Sequence, residues 1–241
     1  MLLAEEMQMM VRQGNRLGQW ILQHNRPDVE SYRKLKRAIG ILGMGLPAIC
    51  LIGGYFSEQA VQNSVSLYYY TNMRDVLVAI LGCAAIFFMT YSGYGIIDNI
   101  VTWVIGVAGA GVVIFPCATY HPRKPDDLVG VLQLAQSTSD KIHLSFASAF
   151  FFLLAVNSIF LFTLSTTDDL GPKKRLRNAI YKASGGVILV SLVTLGIVCF
   201  WANHFFNSSY IQIVFEFIML FAFGIAWLVK SGVPYFRDEE P

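Results

Sequence analysis

The sequence predicts an all-α, polytopic membrane protein: a bundle of six transmembrane helices preceded by an amphipathic N-terminal helix. Three observations predict it. Of 241 residues, 55% are apolar and 14% charged, with a mean hydropathy of +0.52, whereas ordinary soluble domains carry about 25% charged residues. The apolar residues are gathered into six runs of a length that a bilayer core about 30 Å thick requires of a helix. Lys and Arg fall almost entirely in alternate connections between those runs. This composition excludes a disordered chain and a conventional cytosolic enzyme, and a net charge of +2 is too small to imply a nucleic-acid partner.

Residues 1–36 form the first segment. Leu3, Met7, Met10, Leu17 and Ile21 recur at helical spacing, with Gln8, Arg12, Gln13, Arg16 and Gln19 on the other side, and the pattern ends before Pro27. A helix of this kind is expected to lie on the cytoplasmic membrane surface with Trp20 at headgroup level, or to serve as an oligomer contact. Met1–Glu6 lacks a basic leader, so no signal peptide is expected at this position. Residues 37–230 hold the spans, read as 38–55, 76–93, 100–117, 142–164, 183–202 and 211–229, and residues 231–241 read as a cytoplasmic tail.

No span has a Lys or Arg in its interior. With the amino terminus in the cytoplasm, the outer connections keep only Arg74, Arg123, Lys124 and Lys141, so the positive-inside rule places both termini in the cytoplasm with six crossings. The basic runs 33–37 and 173–177 then anchor the helices to anionic membrane lipids. Gly40, Gly43 and Gly45 in the first span, and Gly106, Gly109 and Gly111 in the third, predict close helix contacts. Either those spans or the N-terminal helix offers a surface for a homo-oligomer. Pro47 and Pro116 are expected to kink the first and third spans. Cys50, Cys83, Cys117 and Cys199 are widely spaced within apolar runs and read as buried small side chains, neither a disulfide framework nor a thiolate zinc site.

Ionisable side chains in membrane helices are costly and mark candidate sites. Here they gather towards one face. Arg74 and Asp75 open the second span, Asp140 and His143 the fourth, His204 follows the fifth, and Glu216 lies just inside the sixth, all on the outer side. Ser64, Ser66, Tyr68, Tyr69, Tyr70, Ser145 and Ser148 surround them with hydroxyls, although tyrosines at this depth also serve as an interfacial belt. The expected arrangement is an outward polar pocket in which Arg74, Asp75, His143 and Glu216 cluster, with Ser66, Tyr69 and Ser145 contacting the substrate. His143, His204 and Asp75 are a candidate zinc-ligand set, and Glu216 with Asp75 the candidate catalytic carboxylates. On the cytoplasmic side Asp98 and Asn99 read as a helix cap, while Asn157 and Ser158 read as hydrogen-bonding links between helices.

The run Ser64–Thr71 leading to Arg74 and Asp75, with Phe115-Pro116, His143 and its aromatic tail, Lys174-Arg175, Phe215-Glu216 and Trp227–Gly232, resembles a family of small bacterial multi-pass membrane proteins without an established activity. The likeness covers nearly the whole chain after residue 36 and supports attention to Asp75, His143 and Glu216. A fainter likeness joins Ser66, Asp75, His143 and His204 to the superfamily of alkaline ceramidases and adiponectin receptors, which implies zinc-dependent lipid hydrolysis. This chain departs from that superfamily in having six spans and in lacking paired histidines on the last helix. The resulting expectation is a lipid- or amphiphile-directed, metal-dependent hydrolase, with a transporter or channel and a non-catalytic scaffold or sensor as alternatives.

Overall fold

A computed structural model describes residues 27–93, 95–119, 124–164, 171–201 and 210–232. The expected amphipathic helix, His204 and residues 233–241 of the C-terminal tail lie outside the described residues. Six helices follow in order: α1 (Pro27–Glu58), α2 (Arg74–Thr90), α3 (Ile96–Ile114), α4 (Gln136–Val156, continued by one π-helical turn, Asn157–Leu161), α5 (Pro172–Trp201) and α6 (Ile211–Lys230). A 3-10 turn, Ser66–Tyr70, precedes α2, and a short antiparallel hairpin, β1 (Leu128–Val129) with β2 (Leu134–Ala135), precedes α4.

The protein is a helical bundle compatible with a multi-pass membrane protein. All helices except α2 are long and apolar enough to cross a bilayer. At 17 residues, α2 is about 26 Å long at about 1.5 Å per residue, a little under the hydrocarbon thickness. Large apolar side chains stay exposed around the bundle, among them Ile52, Ile86, Trp103, Phe152, Val190 and Val214, as helices facing lipid require.

Several boundaries differ from the sequence reading, and each difference has a local cause. α5 begins on a proline, Pro172, well before its apolar run starts, and α1 is helical from the first described residue, likewise ahead of its run. Proline suits the first helical position because its φ is preset and its missing N–H would lack a helical partner there. The basic residues read as loop anchors therefore lie on helical extensions of the spans. Pro116 kinks nothing: α3 ends at Ile114, the Phe115 N–H closes on the Gly111 carbonyl, and the proline follows the end. Pro47 does lie inside α1. Gln59, with φ of 51°, ends α1 by returning its N–H to the Tyr55 carbonyl.

Glycines set the helix contacts within the chain. A Cβ on Gly40 would lie 3.1 Å from the Gly224 carbonyl oxygen of α6, and one on Gly106 2.7 Å from the Ala85 carbonyl oxygen of α2. Gly43 and Gly111 face the rings of Phe223 and Phe146, so these small faces are already covered by neighbouring helices. Between α4 and α5, Ser158 donates to the Tyr181 carbonyl at 2.8 Å, the interhelical link expected of it. Asn157 beside it is fully buried, and its side-chain amide has no hydrogen-bond partner among the described residues.

The helices alternate in direction. At one end, Tyr32 of α1 stacks on Tyr91 just past α2 at 5.8 Å, and Lys36 lies over both rings. Trp227 near the end of α6 packs edge-on against Phe87, Phe88, Tyr91 and Phe162 with centroids 5.2 to 5.3 Å apart. Lys230 lies over Phe162, with Asp98, Lys36, Lys174 and Arg177 in electrostatic reach. The starts of α1, α3 and α5 thus meet the ends of α2, α4 and α6. The expected cap is not formed: Gly95 stands at the cap position without a side-chain bond, Asp98 is buried within the first turn of α3, and Asn99 instead accepts the Gly93 N–H at 2.7 Å ahead of the helix.

Candidate functional site

The opposite end is built from two extended segments that re-enter the bundle. The first joins α1 to α2. Its Asn63 carbonyl accepts the Ile213 N–H at 2.8 Å, and the next residues fall on Glu216. Both Glu216 oxygens are within reach of the Ser64 hydroxyl (2.8 and 3.0 Å), the Val65 N–H donates to Oε2 at 2.6 Å, and the Gln212 amide to Oε1 at 3.0 Å. Glu216 is buried, so these donors replace the water that a carboxylate would otherwise hold. Ser64 also accepts the Ser66 N–H at 3.1 Å, a local hydroxyl-to-backbone bond of the kind that favours turns over helix. It starts the 3-10 turn.

The second segment follows α3 and is pinned to α4 residue by residue. Phe115, Pro116 and Thr119 offer carbonyls to His143 Nδ1 (2.7 Å), the Ser139 hydroxyl (2.8 Å) and the Gln136 amide (2.8 Å), while the Ala118 N–H donates to Asp140 Oδ1 at 2.7 Å. Gln136, Ser139, Asp140 and His143 follow the spacing of one helix face. That polar stripe was legible in the sequence, and reading His143 and Asp140 singly missed Gln136 and Ser139. The two segments are joined by the Tyr70 hydroxyl, which donates to the Cys117 carbonyl at 2.6 Å.

His143 connects the two as well. Its Nε2 lies 3.1 Å from the Ser66 hydroxyl. A carbonyl only accepts, so Nδ1 carries the proton of the neutral ring and the Nε2 lone pair faces Ser66. Burial pushes the Cys117 thiol up from its ordinary pKa, and the Asp140 and Glu216 charges push it the same way. Burial also raises the Tyr68 phenol, the one tyrosine of its run that is fully enclosed in the core and so takes no part in an interfacial belt.

A cavity of about 790 Å³ opens between the first segment and the hairpin region. Gln62, Tyr69, Tyr70, Thr71, Asn72, Arg74, Thr119 and Gln133 contribute most of its polar wall, with Glu58 and Asp127 as its carboxylates. The charged groups are engaged: Glu58 accepts the Asn72 N–H at 2.7 Å, Asp127 the Lys124 N–H at 2.8 Å, and Arg74 donates to the Tyr69 hydroxyl at 2.9 Å with its guanidinium 4.4 Å from that ring. At the hairpin, Leu128, Val131 and Leu132 are exposed, and Leu128, Val129, Gly130 and Gln133 line the cavity.

The sequence-predicted residues thus divide. Arg74 and Tyr69 share the cavity wall, and Ser66 and His143 are hydrogen-bonded to one another. Glu216 is held by Ser64, Val65 and Gln212, not by Arg74 or Asp75, because the re-entrant segment supplies its donors. Asp75 is exposed in the first turn of α2. Ser145 is exposed on α4, its hydroxyl returned to the Lys141 carbonyl of its own helix. Both His143 nitrogens face protein partners, and among the described residues no group of three or more His, Cys, Asp or Glu side chains is placed to hold a metal ion. His204, the remaining member of the zinc set, lies outside them. Compared with known protein families, curated proteins and solved structures, the chain matches none.

Proposed function

We propose that this is a six-span protein of a bacterial inner membrane whose outward cavity receives the uncharged, hydroxyl-rich head group of an amphiphile. The observation that carries the reading is the pairing of a polar cavity with an exposed apolar hairpin at its edge. Amide, hydroxyl and phenol groups both donate and accept, which suits a polyhydroxylated partner. The cavity wall carries two carboxylates, Glu58 and Asp127, against one guanidinium, Arg74, so a polyanionic ligand gains little there. Leu128, Val131 and Leu132 give the attached alkyl chain an apolar surface. The volume falls within the range of small-molecule sites, about 300 to 1,000 Å³.

The membrane arrangement supports this placement. The alternating ends of the bundle make α2 the natural sixth crossing, its shortfall in length taken up by local thinning of the bilayer at small cost. The end rich in Lys and Arg is then cytoplasmic and the cavity external. The test uses the full chain in nanodiscs, titrated with octyl glucoside below its micelle concentration and, in parallel, with octyl phosphate and free glucose. Saturable binding of octyl glucoside, weakened by Asn72→Leu and exceeding that of the other two, is the expected result. Equal or stronger binding of octyl phosphate, or indifference to Asn72→Leu, overturns the reading.

A further inference from the structure

We infer that Ser66 is a nucleophile activated by His143, and that the site cleaves an acyl ester carried by the amphiphile. For its substrate this rests on the cavity reading; for its chemistry it rests on the side chains alone. The Ser66 hydroxyl lies 3.1 Å from His143 Nε2, and the 2.7 Å contact of Nδ1 with the Phe115 carbonyl fixes the tautomer that leaves Nε2 free to take a proton. That is the nucleophile, base and orienting group relation on which acyl transfer depends, here with a backbone carbonyl as the orienting group. No metal ligand is required of His143.

The surroundings fit the task. His143 is buried while Ser66 is partly exposed; neither lines the cavity itself, but Leu67, Tyr69 and Tyr70 of the Ser66 turn do, so the pair lies just behind its wall. Asp140 lies one helical turn before His143 and places a negative charge where an imidazolium would form. Glu216 is a positioning residue, acting through Ser64, whose hydroxyl holds the Ser66 N–H at 3.1 Å. In the step, Ser66 Oγ bonds to the ester carbonyl carbon as its proton passes to His143 Nε2. The bond to the alcohol oxygen breaks, and that oxygen takes the proton from Nε2. Water, deprotonated by His143, then attacks the acyl carbon, releasing a carboxylic acid and restoring the Ser66 hydroxyl.

The full chain in nanodiscs is treated with a small fluorophosphonate, and the site of the adduct is mapped by peptide mass. Labelling displaces fluoride and needs no head group. We expect an adduct on Ser66, absent in Ser66→Ala and formed about a hundredfold more slowly in His143→Gln, the lower range of what a positioned base contributes. Ser66→Cys, alkylated with iodoacetamide with and without His143→Gln, supplies the same comparison in a variant that keeps a hydrogen-bonding group at the position. An unlabelled Ser66 in folded protein, or equal rates with and without His143, overturns the inference. Octyl glucoside binding separates the two claims. If it persists while Ser66 stays unlabelled, only the nucleophile falls; if it is lost while Ser66 is labelled, only the cavity reading falls.

Discussion

Removing the Glu216 carboxylate tests how the outer end is held together. In Glu216→Ala, the buried Val65 N–H and Ser64 hydroxyl lose their acceptor, as does the half-buried Gln212 amide. A buried donor left unpaired costs about 1 to 3 kcal/mol. Two such donors, partly relieved by water entering the vacated volume, give a loss of about 2 to 4 kcal/mol, and for a chain of this size a fall in Tm of roughly 5 to 15 °C. Glu216→Gln keeps one carbonyl oxygen for the Val65 N–H and is expected to cost about 1 kcal/mol. The assay is thermal unfolding in detergent, with limited proteolysis between residues 59 and 65 reporting whether the segment has detached. Should Glu216→Ala melt within about 2 °C of the native protein, with the segment still protected, the carboxylate is not what fastens it.

Three further outcomes follow from the structure. The Cys117 thiol and Tyr68 phenol have pKa values raised by burial, so the folded state retains protons that the unfolded chain releases as pH rises; stability is fully present below the unfolded thiol pKa and falls above about pH 8.5 to 9, read as Tm against pH. Gly106→Ala puts a Cβ 2.7 Å from a backbone oxygen and is expected to cost about 1 to 2 kcal/mol after the helix-propensity gain, whereas Gly82→Ala, with nothing within 4 Å, is neutral or stabilising by up to about 1 kcal/mol in the same melting assay. A cysteine replacing exposed Thr138 is expected to react with an impermeant maleimide on intact cells, and one replacing exposed Arg175 only after lysis; the reverse pattern inverts the proposed orientation.

The membrane character, the helical spans and the contrast between a basic end and a hydroxyl-rich end were all present in the sequence. They are one-dimensional quantities: the length of an apolar run and the place of the charges between runs decide them, whatever the neighbours are. Glu216 and His143 stood out for the same reason, as ionisable groups in apolar surroundings. Their partners did not. The donors to Glu216 lie up to 152 residues away and the hydroxyl on His143 lies 77 residues away, on a connection whose Ser, Val and Tyr residues resemble those of any interfacial loop. Only packing brings that connection inside, because the backbone groups of the segments 63–66 and 115–119 need partners once buried, and side chains of α4 and α6 supply them. Tertiary structure therefore decided which polar residues meet: it parted Glu216 from Arg74, joined Ser66 to His143, and left a cavity between two segments that are far apart along the chain.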